Sequence, residues 1–311
     1  MDFPISGTHI APLYLVVIGF VVGVLGGFFG VGGSFLVGPA LFGVGVPMNF
    51  VVGTDLAHIV GKSIVAARKH RTLGNIDMKL GLIMVAGTIA GVETGAQLIQ
   101  ALKRTARLDW AVGLTFIVIL VVISSFMTWE SLATLRARPS RHRSPRTPPG
   151  GQRARQDRTA VAGISRTIHR LNLPPFVSLP VSGVERVSLW AILAVAYLGG
   201  VLSGFSGGGA GYVRLPCLIY LLGIPTHIAV GTDLFEIIIS AGYGTLSHAL
   251  KGNVDILIAL VMHTGAAVGA QMGATLTQFF GGQRIRMAFI PLPLIGVAIM
   301  IHGLLTGHGS K

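Results

Sequence analysis

Asp55, His58 and Lys62 stand at i, i+3 and i+7, so a helix through them carries all three on one face. Asp233, Glu236 and Ser240 repeat that spacing later in the chain. Both sets lie inside long apolar runs, where an ammonium group attracts an anion and carboxylates or an imidazole gate it or carry protons. The plainer reading makes Asp55 and Asp233 helix caps after Gly-Thr and lets Lys62 snorkel toward water. Arg214 sits in a short apolar stretch, 210–222. A buried guanidinium offers a fork of donors that matches an oxyanion, unless it pairs with Asp55 or Glu236. Thr54 and Thr232 would bring hydroxyls to the same ligand or simply start their helices. Glu93 lies beside the ladder Gly87, Gly91, Gly95 and reads as a proton site or half of an ion pair.

Glycine-rich stretches at 26–33 and 204–211 precede two short apolar segments. Backbone N–H groups of Gly30, Gly32, Gly33, Gly208 and Gly209 could cradle a small anion at a helix start. The rival reading is tight helix crossing. The two Gly-Asn-x-Asp strings, Gly74 to Asp77 and Gly252 to Asp255, read as turns with an N-cap for the next helix. His70 and His248 read as interfacial. No histidine pair has i, i+4 ligand spacing and the chain has one cysteine, so neither a metal nor a cofactor is expected.

The elements that must position these residues follow from composition. Of 311 residues, 51% are hydrophobic and 11% charged, against about 25% charged in a soluble domain. Mean hydropathy is +0.73. A soluble globular fold is excluded. The apolar runs are too long and continuous for an outer-membrane barrel, whose strands alternate over about 10 residues. Apolar segments run at about 11–29, 33–46, 50–67, 80–102 and 108–128, then 187–204, 210–222, 227–247, 255–279 and 287–306. The second segment of each set is too short for a straight span of about 20 residues.

An internal repeat relates the two sets. With a shift of 178 residues, Gly53-Thr54-Asp55-Leu56 falls on Gly231-Thr232-Asp233-Leu234, and the glycines 87, 91 and 95 fall on 265, 269 and 273. Between 26 and 98, 22 of 73 positions match without a gap. The expected architecture is an all-α integral membrane protein of about ten transmembrane segments, arranged as two inverted five-segment repeats with short or broken second segments. Its parts are residues 1–130, a basic and largely flexible cytoplasmic loop at 131–186, and residues 187–311. A short amphipathic piece near 164–173 is expected on the membrane surface.

Residues 136–170 hold ten arginines and one aspartate, nine of the thirteen net positive charges. That places the loop inside by the positive-inside rule, with binding to anionic lipid headgroups as a secondary option, and the basic charge is no argument for nucleic acid. Arg68, Lys69, Arg71 and Lys79 then also fall inside, as do Arg284 and Arg286, and both termini fall outside. Lys103, Arg104 and Arg107 are the exception, placed outside. The N-terminus has no basic lead and no A-x-A site, so the first run is expected to be a retained helix rather than a cleaved signal.

The stretch Gly26 to Leu36, then Pro39, Gly45-Val46-Pro47, Gly53-Thr54-Asp55-Leu56 and Gly74-Asn75-Ile76-Asp77, with its second copy from Gly204 to Asp255, resembles the TauE/SafE family of sulfite exporters. The resemblance covers nearly all the chain except the arginine loop. It implies an inner-membrane permease for sulfite, an organosulfonate or a related sulfur anion, with self-association as an option and no enzymatic activity. Two departures stand out: the usual Gly-Thr-Ser is Gly-Thr-Asp in both halves, and the arginine loop is long. Two other readings compete. The acidic residues allow a cation or proton-coupled channel or transporter. Gly204-Phe205-Ser206-Gly207 matches a serine-nucleophile string, with His248 or His263 as base.

Overall fold

The computed structural model describes residues 1–30, 34–104, 108–136, 173–208, 211–280, 285, 287–288 and 290–306. A two-stranded hairpin, β1 (Asp2–Phe3) and β2 (Thr8–His9), leads into α1 (Pro12–Phe29), α2 (Ser34–Gly43), α3 (Met48–Thr72), α4 (Met78–Leu102) and α5 (Leu108–Arg136). A second hairpin, β3 (Phe176–Leu179) and β4 (Val184–Ser188), leads into α6 (Leu189–Ser206) and α7 (Gly211–Pro216). A π-helical turn, Cys217–Leu221, continues α7. Then come α8 (Thr226–Leu250), α9 (Ile256–Leu276) and α10 (Pro291–Leu305). Gly32, Gly33, Gly209, Arg284, Arg286 and the arginine loop from 137 to 172, with nearly all of the 164–173 piece, lie outside the described residues.

Among the described residues, six helices are long and apolar enough to cross a membrane: α1, α3, α4, α5, α6, and α9 with its 3-10 extension, while Gly211–Leu221 and Pro291–Leu305 are shorter apolar helices. The short second segments are α2 in the first half and Gly211–Leu221 in the second. Each is closed by a glycine in the left-handed region, Gly45 (φ 89°) and Gly223 (φ 72°), which turns the chain into Pro47 or Pro225 at the head of the next helix. Within the 131–186 stretch, the described parts are regular: α5 continues to Arg136, and the chain from Phe176 is the second hairpin.

Corresponding helices run in opposite directions. Gly19, Gly23 and Gly27 of α1 meet Met262, Ala266 and Ala270 of α9 in order, so these two are parallel. Gly87, Gly91 and Gly95 of α4 meet Leu193, Tyr197 and Val201 of α6, again parallel. Helix α3 starts beside Asn253, at the head of α9, and ends with His70 on the Gly27 carbonyl, at the foot of α1. Helix α8 starts with Gly231 beside Asn75 and ends with His248 on the Gly204 carbonyl. Helices α1, α3 and α9 thus begin at one end of the molecule, and α4, α6 and α8 at the other. The glycine ladders are packing surfaces: a Cβ at Gly91 or Gly269 would collide with the facing backbone carbonyl.

The two repeats also clasp each other at their ends. Asp77 caps α4 by accepting from Leu80 N–H at 3.1 Å, and its other oxygen accepts from Ser182 N–H and Oγ at 3.2 and 2.7 Å. Asp255 caps α9 in the same way and accepts from Ser6 N–H and Oγ at 3.1 and 2.8 Å. Each hairpin is thereby fastened to the opposite repeat. Losing a cap costs about 0.5–2 kcal/mol, and a hydrogen bond to a charged group is worth about 1.5–3 kcal/mol. Asp77→Ala is expected to lower stability by about 2–4 kcal/mol and Ser182→Ala by less, read as thermal midpoints of the purified protein.

Candidate functional site

Helices α3 and α8 cross at the centre of the molecule and carry the charged residues. Pro47 and Pro225 are the N-caps, so Gly-Thr-Asp lies in the second turn of each helix and beyond. Asp55 and Asp233 are therefore interior residues, and the capping role belongs to Asp77 and Asp255. Asp55, His58, Lys62, Arg214, Asp233 and Glu236 are all at most 1% exposed. Lys62 does not snorkel. The outer faces of the surrounding helices are apolar, with Leu13, Leu198, Leu246 and Leu260 among the exposed side chains, so charge is buried inside and hydrocarbon faces out.

The charges form two groups. On α3, His58 Nδ1 lies 3.7 Å from Asp55 Oδ1 and 3.4 Å from Lys62 Nζ. His263 of α9 completes this group: its ring occupies the space that the missing side chain of Gly61 leaves open, within electrostatic reach of Lys62. Among the described residues, no carboxylate lies within ion-pair distance of the Lys62 amine, and both Asp55 oxygens, His58 Nε2, Ser63 Oγ and His263 Nδ1 are buried without a hydrogen-bond partner. The second group joins α7 to α8. Arg214 Nε meets Asp233 Oδ1 at 2.7 Å, and Nη1 meets Glu236 Oε2 at 2.5 Å and Thr88 Oγ1 at 3.4 Å. The arginine stem packs on Gly199.

No hydrogen bond or ion pair among the described residues joins the two groups. Helices α3 and α8 meet instead through Leu56, Ile59, Ile237 and Ala241, a small buried apolar cluster apart from the main core. The two polar faces expected from spacing therefore do not merge into one central group; an apolar plug lies between them. Arg214 resolves as a partner of Glu236 and Asp233, not of Asp55.

Other expected site residues have different tasks. Thr54 Oγ1 accepts from Asp255 N–H, and Thr232 Oγ1 accepts from Asp77 N–H, both at 2.9 Å. These hydroxyls hold the repeats together. Gly30 (φ 74°) takes a left-handed conformation hard against Val230, which is helix crossing rather than an open cradle, and Gly208 (φ 78°) follows Gly207, which abuts Val52. Glu93 is a third exposed and far less enclosed than the two groups: it pairs with Lys251 at 3.0 Å and accepts from Gln97, Tyr243 and Ser247. Of the two alternatives for Glu93, the ion pair is the one observed. His70 and His248 are fully buried, not interfacial. Lys103, the charge that fell on the unexpected side, donates to Asn253 Oδ1 at 2.8 Å.

Ser206 donates to the Leu202 carbonyl at 2.7 Å and lies 2.7 Å from the Tyr212 hydroxyl, while His248 faces the Gly204 carbonyl. The nucleophile–base contact that a serine hydrolase needs is not made among the described residues.

The family model "Sulfite exporter TauE/SafE" matches residues 15–300. Similar proteins include two from Bacillus subtilis (strain 168). "Probable membrane transporter protein YunE" is 25% identical over 299 residues, covering 93% of this chain and 97% of that protein. "Probable membrane transporter protein YdhB" is 24% identical over 292 residues, covering 93% and 100%. A shorter match, 39% identical over 74 residues, is to "Probable membrane transporter protein MJ0441" of Methanocaldococcus jannaschii, covering 22% of this chain and 28% of that protein. No solved structure matches the chain. Apolar helices around buried charge, motifs repeated in both halves and a family match over most of the length agree: the chain belongs to the TauE/SafE sulfite exporter family of membrane transporters.

Proposed function

We propose that the protein exports a small sulfur-containing anion, sulfite or an organosulfonate, across the inner membrane, and binds it at Lys62 between the two repeats. The observation that carries this reading is the Lys62 amine, 1% exposed, whose one hydrogen-bond neighbour among the described residues is His58 Nδ1 at 3.4 Å. A lysine at the bilayer centre costs about 2.5–3.5 kcal/mol on insertion scales. A bound oxyanion offsets that charge and supplies acceptors to the ammonium. His263, within electrostatic reach of Lys62, stands ready to complete the shell with a donor.

The arginine loop faces the cytoplasm and both termini lie outside. Arg68, Lys69, Arg71 and Lys79 cluster at the molecular end that α5 reaches at Arg136, which supports that orientation. With the inside negative, each exported negative charge gains about 2.3 kcal/mol per 100 mV, so voltage alone can drive export. The orphaned Asp55, Asp233 and Glu236 oxygens support a second reading, transport of a cation or of a proton alongside the anion.

Proteoliposomes under an imposed voltage separate these. Flux of sulfite, sulfoacetate or sulfate, with reversal potentials that follow the anion gradient, is the expected result. Currents that follow a sodium or potassium gradient, with no sulfur anion moved by folded protein, would overturn the anion reading.

A further inference from the structure

We propose that the Arg214–Asp233–Glu236 group is a proton-binding site, in which the two carboxylates share one exchangeable proton. Charge and hydrogen-bond inventory both point there. One guanidinium faces two carboxylates, all three fully buried, so the ionised group carries one uncompensated negative charge. Two carboxylates that share one site in a low-dielectric medium hold a proton between them rather than both ionising.

The atoms left without partners agree. Asp233 Oδ2 and Glu236 Oε1 are buried acceptors with no donor, and Arg214 Nη2 is a buried donor with no acceptor. A proton on one carboxyl adds a donor where acceptors are in excess and brings the group to neutrality. Helix α7 supplies Arg214, α8 supplies both acids, α4 presents the Thr88 hydroxyl and α6 places Gly199 against the arginine stem. No other titratable side chain among the described residues is hydrogen-bonded or ion-paired to the three.

The repeat makes the assignment specific to one half. The counterparts of Arg214, Asp233 and Glu236 are Leu36, Asp55 and His58, with no guanidinium and no second acid. The first repeat keeps the lysine without a carboxylate contact, and the second keeps the surplus carboxylate. If the proposed anion site at Lys62 is right, the two halves divide anion and proton between them. The proton site stands or falls on its own measurement, whatever Lys62 binds.

That measurement is infrared difference spectroscopy of the purified full-length protein in lipid nanodiscs, titrated through neutral pH. The expected result is the carbonyl band of a protonated carboxylic acid in wild type, lost in Glu236→Gln and in Asp233→Asn. Both variants are neutral look-alikes of the protonated state, so their thermal midpoints are expected at or above wild type. If either variant is too unstable to purify, carboxyl-labelled aspartate and glutamate in wild type assign the band by its isotope shift. No acid band in wild type, or a band that both variants leave unchanged, overturns the proposal. So does a marked drop in midpoint in both variants, which is the signature of breaking a fully ionised pair.

Discussion

Lys62→Ala is expected to abolish substrate binding and transport while leaving the fold intact. The lysine is buried, and no carboxylate meets it within ion-pair distance among the described residues, so its removal breaks no direct ion pair. What it removes is the charge that the anion would meet. Truncating one partner of a buried, hydrogen-bonded charge pair costs about 2–5 kcal/mol, roughly 30-fold to a few thousand-fold in affinity. Lys62→Arg is expected to restore only part of the affinity, because a planar fork replaces a compact ammonium beside His58 and His263. Flux and binding assays read the loss. An unchanged thermal midpoint shows that the loss is not unfolding.

Gly91→Val is expected to prevent folding, and Gly269→Val to do the same. A Cβ at Gly91 would collide with the Tyr197 carbonyl and fall 2.7 Å from the Val201 nitrogen, and one at Gly269 would collide with the Phe20 carbonyl and fall 2.9 Å from the Val24 nitrogen. Both obstacles are backbone of a parallel partner helix, so no rotamer change relieves them. Overpacking in a tight core costs about 1–3 kcal/mol and occasionally more. Here two helices must separate, which places the effect at or beyond the upper end. Gly242 is the control, because nothing lies within 4 Å of its Cβ position. Gly242→Ala is expected to be neutral or to stabilise by up to about 1 kcal/mol. Size-exclusion profiles and thermal melts in detergent distinguish the outcomes.

Features with a one-dimensional signature were legible in the sequence. The repeat, the short second segments, the glycine ladders and the Asp77 and Asp255 caps depend on residues near one another or on fixed shifts. The hairpins were not found. Their shared string, Pro4-Ile5-Ser6-Gly7 against Pro180-Val181-Ser182-Gly183, repeats at 176 residues rather than 178 and is too short to show hydrophobic periodicity. The burial of His70 and His248, which read as interfacial, has no one-dimensional signature. Their glycine-carbonyl partners lie 43 and 44 residues away, on other helices.

The charged residues themselves were legible from type and spacing, but their partners were not. Helical spacing places Asp55, His58 and Lys62 on one face without saying what that face meets. Nothing in it could reveal that Leu56, Ile59, Ile237 and Ala241 separate the two polar groups, or that Thr54 and Thr232 are taken up by the opposite repeat. His263 entered the site because Gly61 leaves room for its ring, a complementarity across two helices. Its position opposite Val85 in the repeat, with no polar counterpart, was the signal available.

The central claim is that a small sulfur anion binds at Lys62. Calorimetric titration of sulfite and sulfoacetate into the purified full-length protein tests it most directly, with Lys62→Gln and Glu93→Gln titrated alongside. The account predicts saturable binding to wild type and to Glu93→Gln, and no measurable binding to Lys62→Gln at an unchanged thermal midpoint. Wild-type affinity in folded Lys62→Gln would contradict it.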